Sequence, residues 1–217
     1  MPGRSDYHRS VEEGGGVVPP RSTPATLLPI GAFDPSLNSS KWFHLYTGKT
    51  LNPIPQKLGS IKPKDVIAAL EKPKVPVKNP PVVVIIDVRG TEYVKAKYAA
   101  NAPYKFKGAF YVPSQGGTPT HAADVLARLQ ADPARWKRIL HADAVIIHCH
   151  QAMDRSVGFF AQYAKRAYGG EAGFEAWNPA RQMAIMEPGW QVFCDGALKG
   201  SFSKYGGVMT ATLDPIV

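Results

Sequence analysis

The chain has 217 residues, enough for one large domain or an ordinary domain with an extension. Its 44% apolar content can fill a sizeable core, and no apolar run approaches the roughly 20 residues that span a bilayer. The formal charge of +9 is scattered, with a local cluster at Lys62, Lys64, Lys72, Lys74 and Lys78. With no Lys/Arg block interleaved with aromatics, it reads as a solvated surface with a general pull on oxyanions, not as a nucleic-acid interface.

Residues 1–28 are rich in Gly, Pro, Ser and Arg, and include Gly14-Gly15-Gly16 and Pro19-Pro20. Such a segment buries too little apolar surface to offset its ordering entropy, so a mobile tail is expected. The opening Met1-Pro2-Gly3-Arg4-Ser5-Asp6 has no apolar h-region, which argues against secretion. The two cysteines, Cys149 and Cys194, are too few for a disulfide scaffold. They point to a reducing, cytoplasmic setting in which a thiol is catalytic or simply buried. Residues 29–58 hold Phe33, Trp42, Phe43, Leu45 and Tyr46 without periodicity. They are expected to form an irregular extension packed on the main domain, and this extension is also the place where a protein partner could dock.

Residues 59–217 are expected to form the main domain. Ser60 can cap a short helix over Lys62 to Leu70, with Pro63 in its first turn. A Lys/Pro linker leads to Val82-Val83-Val84-Ile85-Ile86, a β-branched run that reads as a strand buried on both faces, hence parallel and central. A second strand is expected at Ala109-Phe110-Tyr111-Val112, then a loop at Gly116-Gly117-Thr118-Pro119. Asp124 to Leu129 and Pro133 to Leu140 read as helical, with Asp132 capping the latter. Ala144-Val145-Ile146-Ile147 is a third buried strand. It runs through His148-Cys149 into a helix with Val157, Phe160, Ala161, Ala164 and Tyr168 on one stripe, ended by Gly169-Gly170. Alternating strands and helices argue for an α/β fold with a central parallel sheet flanked by helices.

The chemistry concentrates in His148-Cys149-His150-Gln151-Ala152-Met153-Asp154-Arg155-Ser156. A strand, a tight loop and a helix N-terminus make an anion site, because loop N–H groups and the helix dipole supply positive potential. Arg155 would close the ring with a bidentate fork suited to a tetrahedral oxyanion. The same field favours a thiolate, so Cys149 can attack phosphorus, arsenic or sulfur without a separate base. The competing reading is a small buried core cysteine. Asp154 is either a general acid for the leaving group or an exposed carboxylate in a helix's first turn. His150, Gln151, Ala152 and Met153 line the substrate side of the loop. With no Gly among them, some backbone strain is expected wherever φ must turn positive. A metal site built on His148, Cys149 and His150 is not expected, since neighbours at a strand end point apart.

His148-Cys149 and Arg155 resemble the His-Cys-x5-Arg signature of cysteine-dependent phosphatases. Ile85-Ile86-Asp87-Val88-Arg89 and Lys107-Gly108-Ala109-Phe110-Tyr111-Val112-Pro113 resemble segments of rhodanese domains, in rhodanese order. Met183 to Trp190 with Phe193 is similar to their closing segment, so the resemblance covers about residues 58–200. It implies a rhodanese-like domain in which His148 orients the Cys loop through backbone hydrogen bonds and Ser156 bonds the leaving sulfur, the alternative for Ser156 being a plain helix-start residue, while Asp87 and Arg89 read as bracing the domain through buried polar contacts. Cys149 through Arg155 is seven residues, the length of the loop in the cell-division-cycle phosphatases and eukaryotic arsenate reductases of this superfamily. Sulfurtransferase rhodaneses have a shorter loop.

The resemblance therefore implies a phosphatase acting on an oxyanion or phosphorylated substrate, without cofactor, nucleic acid or membrane. The alternatives are an arsenate reductase drawing on an external thiol such as glutathione, a thiosulfate sulfurtransferase, and a non-catalytic rhodanese-like binding module. The sequence departs from the phosphatase pattern at Val88, where those enzymes carry a protective cysteine. Cys194 could resolve a Cys149 intermediate or be an inert buried thiol.

Overall fold

The computed structural model describes residues 28–31, 58–71, 80–95, 104–169, 171, 173–175, 177, 181–191 and 207–210. The expected tail, the aromatics Phe33, Trp42, Phe43, Leu45 and Tyr46, the Lys/Pro linker over 72–79, Phe193 and Cys194 lie outside the described residues.

The protein is α/β. In chain order its strands are β1 (Leu58–Ile61), β2 (Val83–Asp87), β3 (Lys105–Phe106), β4 (Phe110–Tyr111), β5 (Ala144–His148), β6 (Gln182–Met186) and β7 (Met209–Thr210). The helices are α1 (Pro63–Leu70), α2 (Pro119–Gln130), α3 (Pro133–Leu140) and α4 (Arg155–Gly169), with a 3-10 turn at Thr91–Val94. Five strands form one parallel sheet in the order β1-β6-β5-β2-β4, and β3 and β7 form a separate antiparallel pair.

Side chains alternate across the sheet and build two cores. Val84, Ile86, Val145, Ile147 and Ile185 pack with Val125, Leu126 and Leu129 of α2, Ile139 of α3 and Phe160 of α4. Ile85, Ile146, Ala184 and Met186 face Val66 and Ile67 of α1 and Phe106 and Met209 of the β3–β7 pair. The β-branched runs read as central strands are β2 and β5, paired in parallel from Val83 with Ala144 to Asp87 with His148. Both are covered on both faces, as continuous apolar runs require.

Several boundaries differ from expectation. Ser60 is no helix cap: it lies in β1, where its N–H and carbonyl bond the carbonyl and N–H of Gly31. Helix α1 starts at Pro63 behind Lys62, whose side chain makes no cap bond. The strand expected over residues 109–112 is shorter, Phe110–Tyr111, although the Val112 N–H continues to the Asp87 carbonyl at 2.9 Å. Helix α2 starts at Pro119 rather than at Asp124, where the expected run begins, because Thr118 Oγ1 accepts from the His121 N–H and Pro119 needs no amide partner at the first position. The Asp132 cap of α3 is as read, with its Oδ1 accepting from the Ala134 and Arg135 N–H groups at 2.9 and 3.2 Å. Helix α4 is buried beyond one stripe, since Phe159, Tyr163 and Ala167 are also covered while Tyr168 is only half-buried.

The chain leaves β2 toward β4 on one side, and leaves β5 toward β6 on the other. Where neighbouring parallel strands send their connections in opposite directions, a crevice opens at their carboxyl ends, and ligands of such sheets bind there. The β2–β5 boundary is that place.

Candidate active site at the end of β5

Three loops meet beyond the β2–β5 boundary. The first follows β2, running from Val88 into the 3-10 turn. The second is Pro113 to Thr118, between β4 and α2. The third is Cys149 to Asp154, between β5 and α4. The Val88 N–H donates to the His148 carbonyl at 2.9 Å, extending the β2–β5 ladder to the edge of the Cys loop.

The Cys loop is held from below by the segment after β6. The Trp190 N–H donates to the Cys149 carbonyl at 3.0 Å, and the Gln191 N–H to the His150 carbonyl at 2.8 Å. Gln151 Nε2 reaches Gln191 Oε1 at 3.0 Å. Gly189 lies so close that a Cβ there would meet Ala152 N and His150 O at 2.6 Å, so only glycine fits under the loop. The strain expected of a Gly-free loop falls on Ala152, with φ of 57°. Its methyl group is buried.

Cys149 follows β5 directly and is buried at 4% exposure, in contact with the helix-side core. Its sulfur is nevertheless not purely core material. Ser156, fully buried in the first turn of α4, places Oγ 3.2 Å from Sγ. The sulfur therefore has a hydroxyl partner at the start of α4 beside its apolar core contacts.

Arg155 departs from the expected ring. Its Nε donates to the Ser114 carbonyl at 2.8 Å, and its Nη2 to Glu92 Oε1 at 2.7 Å and the Gln115 carbonyl at 3.4 Å. The guanidinium also lies over the Tyr93 ring, 5.0 Å from its centroid. The fork expected to face the sulfur is thus directed at the other two loops, and no hydrogen bond joins Arg155 to Cys149 among the described residues. Tyr93 in turn stacks on His150, with centroids 4.5 Å apart. Glu92, Tyr93 and Ser114 belong to the site and were not singled out in the sequence. The partners lie 63 and 41 residues from Arg155, and the one available signal is that Glu92-Tyr93 follow Asp87-Val88-Arg89 so closely.

The remaining loop residues divide. Gln151, Met153 and Asp154 are exposed, Met153 being half accessible and the exposed large apolar side chain of the described residues. Asp154 precedes α4, and its carbonyl accepts the Gly158 N–H at 2.9 Å. Its backbone and carboxylate abut Gly117, where any side chain would collide with them.

Beneath the loop is a buried polar row. Asp87 and Arg89 are both fully buried, with Arg89 Nε 3.0 Å from each Asp87 oxygen and Nη2 2.7 Å from Oδ2. Arg89 Nη2 also bonds the Tyr104 carbonyl at 2.8 Å, and the guanidinium lies 4.4 Å over the Trp190 ring. Burial by itself would raise the Asp87 carboxyl, but the Arg89 charge, His148 and the Arg89 hydrogen bonds outweigh it and hold it below 3.8. These contacts brace the end of β2, of which Asp87 is the last residue. His148 stacks on Trp190 at 5.4 Å and meets the edge of Phe106 at 5.8 Å, with Nε2 3.8 Å from Asp87.

Burial, joined by the Arg89 charge and opposed by Asp87, takes the His148 pKa from 6.5 down to about 4. The folded protein therefore holds His148 neutral between those values, while the unfolded chain binds a proton. Stability is fully present above pH 6.5 and drains away as pH falls to about 4, by up to about 3 kcal/mol. Urea unfolding across this window should show that loss. A His148→Phe variant, which binds no proton, should show a flatter profile, and an equal slope in both proteins would remove His148 as the cause.

In comparisons with known proteins, no family model, curated protein or solved structure matches this chain. The site is therefore read from its own geometry. Among the described residues no group of three or more His, Cys, Asp or Glu side chains is placed to hold a metal ion, and no helix is long and apolar enough to cross a membrane.

Proposed function

We propose that the chain is a rhodanese-like, cysteine-dependent phosphatase with Cys149 as nucleophile. The observation that carries this reading is the Ser156 hydroxyl at 3.2 Å from the Cys149 sulfur, in the first turn of a helix that starts beyond a parallel strand. Further support comes from the place of the Cys loop, which follows β5 at the boundary where the sheet connections diverge. The three segments that resemble rhodanese domains also converge there. Asp87 and Arg89 brace the floor, Val112 joins β2, and the Cys loop lies above.

In the reaction, the Cys149 sulfur attacks phosphorus and the bond to the leaving oxygen breaks. The exposed Asp154 is the nearest candidate on its own loop to protonate that oxygen. Loop amides and the α4 dipole stabilise the equatorial oxygens, joined by Arg155 once the anion draws its guanidinium from Ser114 and Glu92. Water then cleaves the sulfur–phosphorus bond, releasing inorganic phosphate and restoring the thiol, while Ser156 donates to the departing sulfur.

Turnover of an aryl phosphate, with a covalent phosphoryl adduct trapped on the Cys149 peptide, is the expected result. Thiol-dependent reduction of arsenate without phosphate release would move the assignment to an arsenate reductase. Thiocyanate formation from thiosulfate and cyanide would move it to a sulfurtransferase. A folded protein with none of these activities would leave a binding module.

A further inference from the structure

We propose that Glu92 sets the affinity of the Cys loop for oxyanions, because its carboxylate already holds the arginine that an anion would use. The inference rests on reading the Cys149–Arg155 loop as an anion site, and goes on to name the residue that controls it.

The edge of a guanidinium formed by Nε and one Nη grips an oxyanion side-on through two parallel bonds. In Arg155 that edge is taken: Nε by the Ser114 carbonyl and Nη2 by Glu92 Oε1. The two carbonyls are neutral acceptors. Glu92 alone among the three partners carries the charge of the ligand that the site would bind.

Glu92 is well placed for this. The 3-10 turn that carries it also carries Tyr93, whose ring touches both ends of the Cys loop: stacked on His150 and lying under Arg155. The turn is thereby fixed against the loop. The pair lies at the mouth rather than in the core, with Glu92 39% and Arg155 16% exposed. An ion pair at the mouth, with its carboxylate open to water, is weakly held, so an incoming anion can exchange with it. The anion nevertheless meets a carboxylate that competes for the same guanidinium and repels its charge.

Glu92→Gln separates charge from geometry, since the amide oxygen can still accept from Arg155 Nη2. The test uses the full chain, iodoacetamide as a neutral alkylating probe, inorganic phosphate as ligand, and the Cys149 peptide read by mass spectrometry. Glu92→Gln should lower the phosphate concentration that half-protects Cys149 by about fivefold. Its thermal unfolding should match the parent, because the side chain is partly exposed. A half-protecting concentration that is unchanged or higher in Glu92→Gln would overturn the proposal while leaving the anion site intact. If phosphate protects Cys149 in neither protein, the anion-site reading fails first, and this inference with it.

Discussion

Cys149→Ser is expected to lower aryl phosphate turnover by at least about a thousandfold, equivalent to about 4 kcal/mol of transition-state stabilisation. An alcohol is a far weaker nucleophile than a thiol group. The nearest polar group on α4 is another hydroxyl, Ser156 Oγ, 3.2 Å from the sulfur. That same group gives the introduced hydroxyl a hydrogen-bond partner, so stability should change by only about 1 kcal/mol. Activity and urea unfolding must therefore be measured on the same preparation. Lost turnover with retained folding supports the nucleophile assignment, and full turnover in the variant would remove it.

The second large effect concerns the brace beneath the loop. Arg89→Ala should destabilise the fold by about 3–5 kcal/mol, because it strands the Asp87 carboxylate without a counter-charge in a fully buried position. It also takes a donor from the Tyr104 carbonyl and a cation from the face of Trp190. Trp190 supports the Cys149 carbonyl through its own N–H, so the damage should extend to the loop. Replacing both members of the pair with apolar residues, as in Asp87→Leu with Arg89→Met, should be less harmful than the single substitution, since no unpaired charge remains. If Arg89→Ala unfolds within about 1 kcal/mol of the parent, the pair is not the brace described above.

These effects explain why the site occupies its place in the fold. The polar row Asp87, Arg89 and His148 lies where two central strands end, one layer below the Cys loop. A loop that must hold Ala152 at positive φ needs a rigid floor. Trp190, Gly189 and Gln191 supply it from the adjacent strand end, so the Cys loop is clamped between β2, β6 and α4.

The parts of the structure legible in the sequence are those whose stabilising interactions are local or collective. The continuous β-branched runs of β2 and β5 could satisfy their side chains only in a sheet covered on both faces. The Asp132 cap and Pro133 marked the start of α3 because both act on amides within the first turn. The Cys loop was legible for the same reason: strand β5, Cys149 and helix α4 follow one another in the chain.

Other features were decided only by the tertiary structure. Leu58-Gly59-Ser60-Ile61 and Gln182 to Met186 carry few β-branched residues, and become strands because β6 pairs with β5 and β1 pairs with β6. Ser60 had every local feature of a cap, but the Gly31 segment offered its backbone a ladder instead. The direction of Arg155 was beyond local reading as well. A guanidinium takes the carboxylate and carbonyls that the fold brings to it, and Glu92, Ser114 and Gln115 reach it from loops remote in sequence. By itself, then, the sequence determined the central strands and the strand–loop–helix unit around Cys149, whereas packing determined which side chains touch there, because those contacts depend on where separate strands end.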